Sequence, residues 1–156
     1  MALIEDTCNS SSPNQRFSMP PGALGGVTHT ASNLCILGGG SMDPLVLGAC
    51  GEQGVTSQWA GGSDGAITNG KAGAGCMSFN AINDEVHNPG NAVISYACDS
   101  PPQWNEVWLF PAAGQEGVIQ AKFQKGGGAS NLCLAALPTQ AQWTLPFLKE
   151  WSLKDF

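Results

Sequence analysis

A chain of 156 residues, 12% of them charged and with a net charge of −6, has room for one domain with a real core. Six basic residues cannot build the positive field that nucleic acid or an anionic lipid surface needs, so neither is an expected partner. No apolar run reaches the length of a membrane span.

The 21 Gly and 10 Pro predict many turns and few long helices. Residues 1–14 read as an irregular N-terminal arm whose fixed point is Cys8. Met1-Ala2-Leu3-Ile4 is too short an apolar run for a signal peptide, so the chain reads as a mature or excised domain. Asn9-Ser10-Ser11 is a glycosylation sequon, as in a secreted glycoprotein. Strands are expected at 15–18, 26–28, 34–37 and 45–50, with Pro20-Pro21-Gly22 and Gly38-Gly39-Gly40 as stops. A second set is expected at 66–68, 76–79 and 92–98, followed by 108–110. A third is expected at 118–123, 132–135, 142–145 and 150–153. No segment sustains a helical period.

These sets share a frame. Ala31-Ser32-Asn33-Leu34-Cys35 returns letter for letter as Ala129-Ser130-Asn131-Leu132-Cys133, with a weaker copy at Ala74-Gly75-Cys76-Met77. A β-branched stretch lies upstream of each, at Val27-Thr28, Ile67-Thr68 and Val118-Ile119. A Trp preceded by polar residues lies downstream, at Trp59, Trp108 and Trp151. Recurrence at such a period marks a repeat architecture. A four-strand unit used three times predicts an all-β fold of twelve short strands, closed as a pseudo-threefold barrel without exposed sheet edges. The three indoles are expected inside it, each N–H on a carbonyl. Trp104 and Trp143 lie outside the frame and are candidates to pack or to stack a ligand.

Six Cys without a C-x-x-C pair, alongside only two His, point to disulfides in an oxidising, secreted or extracellular setting rather than to zinc. Their pairing stays open on the residues alone.

The order Gly-x-Ile, Leu-Cys-Leu, strand ending in Cys, then Gln-x-Trp resembles the ricin-type β-trefoil lectins, also called family-13 carbohydrate-binding modules. The likeness covers residues 15–156, with repeats at about 15–60, 61–110 and 111–156. It implies a β-trefoil and a non-catalytic sugar-binding role without cofactor or metal. The partner would be a glycan or polysaccharide, and a catalytic domain or other protein could be attached. It also implies bridges Cys35–Cys50 and Cys76–Cys98; Cys8–Cys133 is the expected third, with two free thiols as the alternative.

In that family an Asp two residues after the first Cys, an aromatic two before the second and an Asn just before Gln-x-Trp hold the sugar. The Asp position carries Leu37, Ser78 and Ala135; the aromatic position carries Gly48 and Tyr96. Only the second copy keeps an aromatic and an amide, so the implied site is Tyr96, Asn105 and Ser78. The hairpin residues Asp84, Glu85, His87 and Asn88 are further candidates. Asp84, Glu85 and His87 are also the densest titratable cluster, but adjacent carboxyls on one loop do not face each other across a cleft as a glycosidase requires. The chain reads as non-catalytic. The competing readings are a structural or protein-binding trefoil with decayed sugar sites, and a trefoil protease inhibitor.

Overall fold

The computed structural model describes residues 1–52, 56–71, 73–80 and 89–137. The described residues form an all-β fold with two short 3₁₀ turns and no α-helix. Strand β1 (Ala2–Thr7) precedes the 3₁₀ turn Pro13–Gln15 and β2 (Phe17–Ser18). There follow β3 (Gly25–Gly26), β4 (Thr28–His29), β5 (Leu34–Leu37), β6 (Val46–Gly48) and β7 (Gln58–Gly61). Next come β8 (Ile67–Asn69), β9 (Cys76–Phe79), β10 (Val93–Tyr96), the 3₁₀ turn Trp104–Glu106 and β11 (Trp108–Leu109). The described chain ends with β12 (Glu116–Gly117), β13 (Gln120–Ala121) and β14 (Leu132–Leu137).

The strands pair antiparallel in two sheets. One runs β11-β13-β14-β1-β6-β5-β4-β2-β12 and the other β10-β9-β8-β7-β3. Bridges from Ile4 to Ala92 and from Pro44 to Ile94 join the two. The half-cystine strands are apolar except for Ser78, and residues 35–37, 76–79 and 132–136 are buried on both faces.

One register occurs three times. Thr28 pairs with Cys35, Thr68 with Cys76 and Gln120 with Cys133. Across the next strand Cys35 faces Gly48, Cys76 faces Tyr96 and Cys133 faces Asp6. Gly48, Tyr96 and Asp6 each lie two residues before a second cysteine, and a disulfide closes each pair: Cys35–Cys50, Cys76–Cys98 and Cys8–Cys133. All three expected bridges are present, and no described cysteine is free.

An aromatic recurs in the same way. Trp59 pairs with Gly25 and Asn69, Phe17 with Gly117 and His29, and Trp108 with Ala121 while donating its backbone N–H to Gly65. All three rings are buried. Trp59 Nε1 donates to Ile36 O and Trp108 Nε1 to Met77 O, both at 2.9 Å, and each acceptor directly follows a first cysteine.

Strands β1, β6 and β10 meet in a ring. Ala2 bridges Val46, Pro44 bridges Ile94, and Ile4 bridges Ala92. At its centre Leu3 N–H donates to Leu45 O and Leu45 N–H to Val93 O, at 3.1 and 2.8 Å. Leu3, Leu45 and Val93 are wholly buried within the core that also holds Ile36, Met77 and Leu134.

One expectation about the N-terminal residues changes. Residues 1–14 are not an irregular arm, because Ala2–Thr7 pairs along its length with β14. β1 lies beside β14, and the buried Phe17 pairs with Gly117 and His29. The Cys8–Cys133 bridge ties the segment after β1 to β14 across 125 residues. Residues 142–145, with Trp143, and Trp151 lie outside the described residues.

Candidate functional site

A cleft of about 310 Å³ opens beside the second unit. Ser78 and Phe79 of β9, Ile94 and Tyr96 of β10, and Trp104 and Asn105 of the second 3₁₀ turn line it. Asp99 and Gln103 of the intervening loop, Asn80 and Met42 complete the lining. Phe79 joins the cleft floor to the core, its ring centroid 4.2 Å from that of Trp108.

Strand geometry presents Tyr96. Val93, Ile94 and Ser95 are buried, whereas Tyr96, at the end of β10, is 41% exposed. Its backbone is held from below by Gly75, which has φ +86, and a Cβ there would collide with the Tyr96 carbonyl. A glycine is the one residue that tolerates both conditions. Cys98, two residues on, is bridged to Cys76, so the platform is fixed at both ends.

Ser78 occupies the place where the resemblance puts a carboxylate, but it does not face solvent. It is wholly buried. Its hydroxyl reaches Phe79 O at 3.2 Å and Asn105 O at 3.4 Å, and accepts from Asn105 Nδ2 at 3.1 Å. That bond fixes the orientation of the Asn105 amide. Ser78, Tyr96 and Asn105, drawn from three separate stretches of sequence, thus come together on one cleft. Asp84 and His87, with Glu85 and Asn88, lie outside the described residues.

The wall of the cleft is tied by Glu106, which stands where Gln-x-Trp has its Gln. Its Oε2 accepts the backbone N–H groups of Asp99 and Gln103, both at 3.2 Å. Gln103 and Glu106 form a capping box, each side chain satisfying the other's backbone N–H at the start of the 3₁₀ turn. Glu106 is 1% exposed, and burial pushes its carboxyl above the usual value; the two N–H donors oppose this and the nearby Asp99 charge adds to it. Its Oε1 is buried without a hydrogen bond among the described residues.

The other two units do not repeat this arrangement. Leu37 is 4% exposed, and a Cβ on Gly48 would collide with its Cδ1, so in the first unit an apolar side chain covers the facing glycine. In the third, Ala135 is buried and Asp6 faces Cys133 where Tyr96 faces Cys76.

The sequence reading left Asp99, Gln103 and Met42 out of the site. Asp99 was within reach, since it directly follows the cysteine that fixes the Tyr96 platform. Met42 was not, because it comes from the first unit, held at φ +69 with its N–H on Ser95 O at 2.6 Å. No helix among the described residues is long and apolar enough to cross a membrane. No protein-family model matches the chain, and no curated protein matches it in sequence.

Proposed function

We propose that this chain is a ricin-type β-trefoil and a non-catalytic, secreted carbohydrate-binding module, with its sugar site in the cleft of the second unit. The observation that carries the reading is the meeting of Tyr96, Asn105 and Ser78 on one cleft of about 310 Å³. Those positions follow from the resemblance alone and come from β9, β10 and the second 3₁₀ turn. The threefold register, the ring of β1, β6 and β10, and the paired indole bonds support the trefoil.

The proposed chemistry is shallow recognition. The Tyr96 ring stacks on the apolar C–H face of a pyranose, and the Asn105 amide meets its hydroxyls. The cleft volume lies at the low end of small-molecule sites, which span about 300–1,000 Å³, so it suits one or two sugar rings. The partner is a glycan or polysaccharide, and the module serves a larger glycoside hydrolase or glycan-binding protein. Three disulfides fit an extracellular life.

A second reading draws on Leu37 and Ala135, buried apolar residues where two of the family's carboxylates belong. On it the sugar sites have decayed and the barrel packs against protein. Affinity electrophoresis of the native chain against galactose-, xylose- and mannose-containing polymers separates the two. Retardation that Tyr96→Ala removes upholds the sugar site. Absence of retardation in every gel favours the packing role.

A further inference from the structure

We propose that the cleft selects uncharged glycans and that Asp99 sets this choice; the inference rests on the sugar-binding reading of the same cleft. Asp99 is the one acidic residue among the described lining residues. The other polar groups are the amides of Asn80, Gln103 and Asn105, the Trp104 indole N–H and the hydroxyls of Ser78 and Tyr96, and no described lining residue is Lys, Arg or His. The Glu106 carboxyl lies just behind the same wall.

Asp99 is exposed, yet its backbone is fixed. Its N–H is bound to Glu106 Oε2 at 3.2 Å, and its neighbour Cys98 is bridged to Cys76. A carboxylate is an acceptor only, with room for two ligand hydroxyls at once, and such charge-assisted bonds are about twice as strong as neutral ones. Ser78 cannot supply this chemistry, since its hydroxyl is spent on Asn105. Asp99 supplies it from the loop instead. The same charge opposes a ligand carboxylate or sulfate, because like charges meet in a concave site with no cation among its described lining residues to offset them. Neutral sugars are accepted, and uronate-bearing or sulfated ones are refused.

The test is affinity electrophoresis in galactan and in polygalacturonate, which differ by the ring carboxylate, at about 0.15 M salt to screen long-range repulsion. The native chain, Asp99→Asn, Tyr96→Ala and the control Asp64→Asn are compared; Asp64 is exposed and outside the lining. The native chain is expected to be retarded by galactan and not by polygalacturonate. Asp99→Asn is expected to bind galactan about tenfold more weakly and to gain retardation in polygalacturonate, as loss of a charged hydrogen bond implies. The control, with the same change in net charge, is expected to match the native chain. Native binding to polygalacturonate as tight as to galactan overturns the inference. So does an Asp99→Asn variant that behaves as native while Tyr96→Ala binds nothing; that outcome leaves the sugar-binding reading standing. Failure of the native chain to bind galactan, xylan, mannan or polygalacturonate overturns both.

Discussion

Tyr96 and Glu106 show how differently two residues serve one cleft. Tyr96 is the only Tyr in the chain, and it ends a strand whose preceding residues are buried. Tyr96→Ala is expected to weaken glycan binding about tenfold or more while shifting stability by less than about 0.5 kcal/mol. Titration calorimetry and thermal melts check the two halves separately. Glu106 works from behind the wall. Its carboxyl sits above its ordinary value of 4.5, so the folded protein holds a proton that the unfolded chain has released. Stability from this group is full below pH 4.5 and falls as pH rises through the raised value. Glu106→Gln, which keeps an acceptor for Asp99 N–H and Gln103 N–H, is expected to raise the denaturation midpoint at pH 7 and leave it unchanged well below pH 4.5. An equal shift at every pH would disprove the assignment. His29 slopes the other way. It is 2% exposed, with Nε2–H donated to Pro13 O at 3.0 Å and Nδ1 facing Ser32 Oγ at 2.8 Å. Burial holds the imidazole below its ordinary value of 6.5, against the opposing effect of the Pro13 bond. Its stability is full above pH 6.5 and is lost as pH falls through the lowered value; urea melts of His29→Gln are expected to flatten that acid limb.

Among the elements, β1 does the most to complete the fold. Six residues pair along β14, and Cys8 then bridges Cys133. The bridge spans 125 residues against 15 for Cys35–Cys50. Chain entropy makes the longer closure worth about 5 kcal/mol and the shorter about 3 kcal/mol. The double variant Cys8→Ser/Cys133→Ser is therefore expected to lose more stability than Cys35→Ser/Cys50→Ser in guanidinium titrations. The reverse order would mean that β1 is held by its ladder alone. The recurring pentapeptide also has an element-scale cause. Ser32 Oγ and Ser130 Oγ accept from Leu34 N–H and Leu132 N–H at 3.4 and 3.1 Å, capping the turn before each half-cystine strand. Identical letters do not enforce identical backbone: Asn33 has φ 55, while Asn131 is not among the positive-φ residues and its carbonyl accepts Cys8 N–H.

At the scale of the molecule, much was legible from the chain. The frame of Thr28, Cys35 and Trp59 recurs as Thr68, Cys76 and Trp108 because one register and one buried ring were needed twice, and sequence preserves such needs as spacing. The third occurrence was hidden. Its strand ends in Asp6-Thr7-Cys8 and its ring is the Phe of Gln15-Arg16-Phe17, at the far end of the chain from Cys133. The signal was present in Cys8 itself: a cysteine that partners a first-position cysteine ends a strand in the other two units, so Leu3-Ile4 should have been read as strand. What residue order alone determined was the strand-rich class and the recurring half-cystine frame, since these follow from local alternation and repeated spacing; the bridging pattern and the Tyr96–Asn105 pairing came from the family resemblance. Which side chains face the cleft, that Ser78 is turned inward onto Asn105, and that β1 pairs with β14 were decided only by tertiary closure. Those contacts join residues up to 125 positions apart, and no local propensity encodes them.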